Sequence, residues 1–307
     1  MSLHGLISVT IGVPNVGETA AYYADFGLAP ETGGWFSTTD AGRQLRIVPA
    51  PTRRLVEMRV GVDDPDDLAR AAASVERLGA PAALAGMSLE TAEPVTGTRV
   101  FLDVAPRIRQ QPVAPERYNG PGRTDRPDTR APGFSRPGPV RPRKLGHAVL
   151  GSTDYRRSTS FFTDGLGFKI SDRISGVGAF MRCSTDHHNV LVLAAPVSFL
   201  HHTSWQVDDV DEVGRGAFAM LEGRPERHVW GLGRHYAGSN FFWYLKDPAG
   251  NFSEYYADMD CIVDDQLWTP EDLEGARGLF AWGPPPPASF LHPEDLAAMM
   301  TGAHAPR

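Results

Sequence analysis

The sequence predicts an α+β fold of two tandem halves, each of paired βαβββ modules whose sheet curves around a cavity. Two observations carry this expectation. The first is an internal repeat: VDDPDDLARA, from Val62, lines up with VDDVDEVGRG, from Val207, and Tyr22-Tyr23 before Asp25 lines up with Phe161-Phe162 before Asp164. The second is the order of patterns within each half, a strand, a helix and several strands, interrupted by a second helix. One such unit cannot close its own sheet, so pairs of units are expected to curve around a shared cavity, giving four modules in all.

The elements follow in order. Leu6 to Val13 suits a buried strand, ended by Pro14-Asn15. Asn15 is a fair N-cap for a helix reaching Asp25, with Ala21, Tyr22 and Phe26 available to a core face. Trp35 to Thr38 and Gln44 to Val48 read as short strands around an Asp40-Ala41-Gly42 turn, and Leu55 to Val62 as a further strand. Asp63 to Leu78 carries acids in its first turn and Arg77 in its last, the charge placement of a helix, and Gly79 stops it. Arg99 to Asp103 is a strand that closes a first domain over 1–105.

Composition then changes. Through 106–143 proline, glycine and arginine dominate and apolar periodicity disappears, so this stretch reads as an extended linker on the surface, its arginines paired with the folded halves. A second domain over 144–270 repeats the first. Leu145 to Leu150 is a strand, Thr153-Asp154 caps a helix to Asp164, and Ala179 to Cys183, Val190 to Ala194 and His202 to Val207 are strands. Val210 to Leu221 is a helix. Two last strands, Asn240 to Leu245 and Asn251 to Tyr256, are joined by Asp247-Pro248-Ala249-Gly250, which suits a type I turn. A tail over 271–307 is expected to fold over the cavity mouth or pack at a subunit interface.

Composition excludes several classes. The net charge is −7 and no basic run marks a nucleic-acid binder. No window approaches the roughly 18 apolar residues of a membrane span, and MSLHGLISVTIGV lacks the positive region of a secretory leader. Two cysteines, Cys183 and Cys261, support neither a disulfide framework nor a thiolate cage. A soluble cytoplasmic protein is expected, whose metal ligands, if any, are histidine and carboxylate.

The second half carries such groups at matched strand positions. Alternation puts Glu254 between Phe252 and Tyr256 on one face, a costly burial unless something positive compensates it. His147 sits in the first strand, and His202 shares a face with Ser204 and Gln206. Two imidazoles and a carboxylate leave coordination positions free and suit Fe(II) that must hold a substrate and dioxygen together. The corresponding first-half positions read as Ser8, Glu57 and, loosely, Gln110, which is no ligand set. Nearby, His187 and His188 can exchange a proton near neutrality, His235 stands in the glycine-rich loop before the hairpin, and the Tyr244 hydroxyl can donate to a developing oxyanion. Taken singly, His187 and His188 read as solvated turn residues and Tyr244 as core.

The segments GHAVLGSTD, DHHNVLVL, LHHTSWQVDDVDEVG, GRHYAGSNFFWYLKDPAG and FSEYYADMD resemble the type I extradiol ring-cleaving dioxygenases of the vicinal oxygen chelate superfamily. The resemblance to two-domain members covers most of the chain, and the linker and the tail WGPPPPASF are similar to those of the branch acting on substituted catechols. It implies the vicinal oxygen chelate fold, a non-catalytic first domain and a catalytic second one. His147, His202 and Glu254 would be the metal ligands, with Fe(II) as the ion and Mn(II) as the alternative found in some relatives. It further implies His188 as the acid–base residue, His235 and Tyr244 as catalytic neighbours, and a pocket lined by Val149, Phe180, Asn240, Phe242 and Tyr256. His188 is preferred to His187 as the second of its pair, and His202 to His201 for its distance from Val207. The implied reaction opens a catechol-type ring with O2 beside the vicinal diol, giving a muconic semialdehyde-type product in aromatic catabolism, in a homo-oligomer with no nucleic-acid or membrane partner. Two other readings share the scaffold: a metal-dependent isomerase or lyase, which usually places ligands in both copies, and a metal-free protein sequestering an aromatic ligand, which would lack them.

Overall fold

The computed structural model describes residues 2–115 and 117–303. Its first sheet contains β1 (Leu3–Val13), β2 (Ala29–Pro30), β3 (Trp35–Thr38), β4 (Gly42–Pro49), β5 (Arg54–Val62), β6 (Ala82–Ala85), β7 (Ser88–Ala92) and β8 (Arg99–Val104). The second contains β9 (Lys144–Ser152), β10 (Lys169–Ile174), β11 (Gly178–Arg182), β12 (Val190–Ala194), β13 (Phe199–Gln206), β14 (His228–Arg234), β15 (Phe241–Lys246), β16 (Phe252–Ala257) and β17 (Asp272–Leu273). Helices Val16–Asp25, Pro65–Arg77, Tyr155–Ser160 and Val210–Leu221 each follow the first strand of a module, so the four βαβββ modules are present.

The sheet orders are the same device used twice. The first runs β2-β3-β4-β1-β5-β8-β7-β6, and the second, read in the same sense, runs β17-β10-β11-β12-β9-β13-β16-β15-β14. The repeat extends to irregularities. The β1–β5 ladder slips by one residue between Thr10 and Ile11 and again between Leu6 and Ser8, and the β9–β13 ladder slips at the matching places, Leu200/His202 and Ser204/Trp205. These two matching bulges bring the registers into correspondence from Leu6 onward, while a further shift at Leu3/Gly5 has no counterpart in the β9–β13 ladder.

Local chemistry explains most elements. Asp64 caps the helix Pro65–Arg77 by accepting the Asp66 N–H at 2.8 Å, Pro65 opens its first turn, and Leu68, Ala71, Ala72 and Val75 form its buried face. Asn15 occupies the N-cap of Val16–Asp25 without capping it, because its amide donates to Glu18 and to the Pro248 carbonyl in the other half. The helix expected to run to Asp164 is α-helical only to Ser160 and continues as a wider turn through Gly165. Strands β2, β6, β7, β10 and β14 were not legible as such: they are short, alanine- or glycine-rich, or follow a helix closely, so no period of two stands out.

The halves share one core. Phe26 stacks on Tyr255 with ring centroids 3.8 Å apart, the Tyr255 hydroxyl donates to the Phe26 carbonyl at 2.7 Å, and the Tyr22 and Ser253 hydroxyls meet at 2.5 Å. Each such fully buried aromatic contributes about 1.5–3 kcal/mol through burial. The stretch between the sheets ties them from outside: Arg107 pairs with Asp63, Arg136 with Asp209, and Arg143 with Asp40 at 2.7 Å. Arg53 of the first half is almost wholly buried and donates to the Leu200 carbonyl at 2.6 Å and to Asp295. Residues 272–273 of the expected tail join the second sheet as β17, and 304–307 lie outside the described residues. No described helix is long and apolar enough to cross a membrane.

Candidate metal centre

Register decides which side chains meet at the centre of the second sheet. Ser204 of β13 pairs with His147 of β9 on one side and Glu254 of β16 on the other, with His202 one step along the same face. His147 Nε2 lies 3.0 Å from Glu254 Oε2 and 3.3 Å from His202 Nε2, and His202 Nε2 lies 3.7 Å from Glu254 Oε2. All three residues are buried.

The set fits a divalent cation. Glu254 Oε2 is fully buried and makes no hydrogen bond among the described residues, although two imidazole nitrogens point at it. An anionic oxygen left in that state costs on the order of 1–3 kcal/mol or more, and a shared metal removes the cost. Burial pushes the Glu254 carboxyl up, but the imidazoles of His147 and His235 outweigh it and hold the group below the usual carboxylate range. Its other oxygen accepts from Asn240 Nδ2 at 3.3 Å.

The proton on His202 is placed by a residue the sequence reasoning set aside. His201 Nε2 donates to the Phe290 carbonyl at 2.6 Å, and burial holds its pKa near 4, so the neutral ring has no second proton. Its Nδ1 therefore accepts from His202 Nδ1–H at 2.7 Å, leaving the His202 Nε2 lone pair turned to His147 and Glu254, where a cation would fit. Burial also keeps His202 itself neutral. The doublet His201-His202 was the available signal; the Phe290 carbonyl, nearly ninety residues away, had none.

A cavity of about 650 Å³ opens over these ligands. Val149 and Phe180 line it, and His188 stands between Phe180 and His147, with centroid separations of 5.0 and 4.2 Å. Burial holds His188 neutral. Neither His187 nor His188 is a solvated turn residue: both are buried, because the β11–β12 connection folds in beneath β10, where Asp172 receives the His187 ring at 3.0 Å. His235 donates from Nδ1 to the Leu279 carbonyl, and its Nε2 lies 2.9 Å from the Tyr244 hydroxyl. Burial, then the Glu254 charge, keeps that hydroxyl protonated.

Three expected pocket residues lie behind the wall instead. His235 stacks on Phe242 at 4.0 Å and separates it from the cavity. Asn240 is spent on Glu254. Tyr256 packs under the β9 backbone, where a Cβ on Gly146 would meet its hydroxyl at 2.2 Å, and so backs His147 from behind. The walls come instead from β10 to β12 and from the C-terminal segment, which brings Leu279, Phe290 and Leu296. Gln110 is corrected as the counterpart of Glu254: it follows β8 and bonds Asp40 and Gln206, while the register gives the position to Phe101.

Residues 144–255 match the family described as the Glyoxalase/Bleomycin resistance protein/Dioxygenase superfamily. The chain is similar to Metapyrocatechase 2 of Cupriavidus necator, at 35% identity over 204 residues that cover 64% of this chain and 60% of that protein. It is 28% identical over 248 residues to the 2,2',3-trihydroxybiphenyl dioxygenase of Sphingomonas paucimobilis, covering 73% and 76% of the two chains. Among solved structures, the Mn(II)-bound glyoxalase from Novosphingobium aromaticivorans aligns at a TM-score of 0.74 and 26% identity, over 95% of each chain. The match thus spans less than two thirds of the first relative.

Proposed function

We propose, from the match of residues 144–255 to the glyoxalase/bleomycin resistance protein/dioxygenase superfamily, that the chain is an extradiol dioxygenase of aromatic catabolism on the vicinal oxygen chelate fold. It opens a catechol-type ring with O2 beside the vicinal diol to give a muconic semialdehyde-type product. One observation carries the reading: two imidazoles and one carboxylate converge at the floor of a largely apolar cavity, in one half of a duplicated fold. Relatives named as a metapyrocatechase and a trihydroxybiphenyl dioxygenase support it.

His147, His202 and Glu254 would hold Fe(II), with Mn(II) as the alternative suggested by the glyoxalase neighbour. When bound, the metal supplies Lewis acidity and an electron path between diol and O2. The protein supplies the rest. Val149 and Phe180 flank the ring, His188 faces it with a neutral imidazole able to hold a proton, and the Tyr244–His235 pair presents a hydroxyl oxygen anchored in one orientation. Apolar walls from Leu191, Leu193 and Leu296 exclude water from reactive oxygen species. The lining contains no lysine or arginine among the described residues, and it includes Glu274, so the ring's substituent is uncharged and apolar rather than a carboxylate. In this reading 1–105 is the non-catalytic domain, 106–143 the linker, 144–270 the catalytic domain and 271–307 a tail that walls the cavity.

The test is direct. Purified protein is loaded anaerobically with Fe(II), then air is admitted with catechol and with 3-alkyl and 3-phenyl catechols. Oxygen uptake and a yellow product are expected, fastest with the apolar-substituted diols. Protein shown to hold iron that consumes no oxygen across the panel would sink the reading. The neighbour named as a glyoxalase favours a second one, a metal-dependent isomerase, which predicts turnover without O2.

A further inference from the structure

Two consecutive histidine pairs border the cavity, and they are wired alike. In His201-His202 the outer ring donates to a carbonyl and the two Nδ1 atoms face each other at 2.7 Å. In His187-His188 the outer ring meets a carboxylate, with His187 Nε2 3.0 Å from Asp172 Oδ2, and again the two Nδ1 atoms face each other, at 3.0 Å. Asp172 is itself fixed, since its other oxygen accepts the Glu271 backbone N–H at 2.8 Å. The His187 ring is fully buried and held edge-on to Trp268 at 5.3 Å.

We propose that Asp172 and His187 set the tautomer of His188, keeping its proton on Nδ1 and turning its Nε2 lone pair to the cavity. A carboxylate only accepts, so a His187 ring carrying a single proton spends it at Nε2. His187 Nδ1 is then an acceptor, and His188 must supply the proton between the two Nδ1 atoms. His188 Nε2 is left as a lone pair on the cavity side. The catalytic consequence rests on the dioxygenase reading. His188 enters the cycle as a proton acceptor: a diol O–H bond breaks, an N–H bond forms at Nε2, and the electron pair stays on the diol oxygen. The same proton is what His188 later returns. Asp172 and His187 touch no substrate and are positioning residues.

The experiment reads the ring nitrogens directly, by two-bond ¹H–¹⁵N correlation on ¹⁵N-histidine-labelled full-length protein loaded with Zn(II) as a diamagnetic probe. In the wild type, His188 is expected to be protonated at Nδ1 and His187 at Nε2. Asp172→Asn should reverse both. The Glu271 N–H retains the amide oxygen, so the amide NH2 faces His187 Nε2 and forces its proton to Nδ1. His188 then carries its proton on Nε2, while His202 is unchanged. In the Fe(II) enzyme the same variant should lose about 10²-fold in kcat with KM unchanged, the lower end of what a general acid–base residue contributes. His187→Gln, which leaves the Asp172–Glu271 bond in place, should give His188 a mixture of tautomers. A wild-type His188 protonated at Nε2, a His187 protonated at both nitrogens, or a His188 pattern unmoved by Asp172→Asn would each overturn the proposal. Correct tautomers in a protein that consumes no oxygen would leave it standing and overturn the dioxygenase reading alone.

Discussion

The two halves share a topology, a strand register and even their bulges, yet one builds a ligand set and the other a salt-bridge cluster. Where the second half has His147, His202 and Glu254, the matched register of the first half has Ser8, Glu57 and Phe101. Glu57 pairs with Arg59 at 2.8 Å, Arg59 reaches Asp103 at 2.9 Å, and the Arg59 guanidinium lies 4.1 Å from the centre of the Phe101 ring. The charges of that half are neutralised internally and stay partly in solvent. In the second half Glu254 is fully buried and faces histidines, with no lysine or arginine paired to it among the described residues. At the position of His188 the first half has Arg43, whose side chain is 53% exposed and paired with Glu31. The scaffold itself is therefore neutral to function. What creates the site is removal of the local counter-charge together with closure of a cavity above it.

That contrast can be broken or sharpened by experiment. The largest effect is expected at Glu254. Glu254→Gln should lower metal affinity at least about 10²-fold, as removing one partner from a buried charged set does, with metal content by mass spectrometry falling to background. His188→Phe should retain metal and fold while kcat drops about 10²–10⁴-fold; loss of metal in that variant would merge the two roles. The turn joining β15 and β16 gives a third test. Burial pushes the Asp247 carboxyl from 3.8 up to about 6, despite its bonds from Asn251 and Ala249. A raised carboxyl favours the neutral form in the folded chain, so its contribution is present below about pH 4 and lost as pH rises through 6. The difference corresponds to roughly 3 kcal/mol, so in urea unfolding the wild type should lose about that much stability relative to Asp247→Asn between about pH 4 and pH 6. His201→Gln frees the His202 tautomer and should weaken metal binding about 10–100-fold, read by competition with a chelator. Smallest of all, Glu57→Gln should leave metal stoichiometry unchanged and cost under about 1 kcal/mol, as for partly exposed ion pairs.

Legibility followed the same division. The convergence of His147, His202 and Glu254 could be reached from sequence because strand alternation and an internal repeat are short-range patterns, and each of the three sits in a well-formed strand. The acid–proline turn was equally local: Gly250 N–H closes onto the Asp247 carbonyl at 3.0 Å. What failed was long-range or irregular. Phe101 could not be matched to Glu254 without the bulges, which shift the count by one residue twice. Phe242 and Tyr256 share strand parity with the site but are screened by His235 and by the β9 backbone, and parity says nothing about what covers a face. Asp172 gave no signal at all, since its meaning depends on a ring fifteen residues away and a backbone amide 99 residues away.

The C-terminal segment supplies main-chain groups to all three outer histidine contacts: the Phe290 carbonyl to His201, the Leu279 carbonyl to His235, and the Glu271 N–H to Asp172. Phe290 and Leu279 also line the cavity. Each of the two thus contributes to the site through its peptide group and through its side chain. Replacing Leu279 can resize the pocket while its carbonyl still faces His235, whereas replacing Phe290 also removes the ring packed on His201 and Tyr244. Cutting the segment away would disturb both at once.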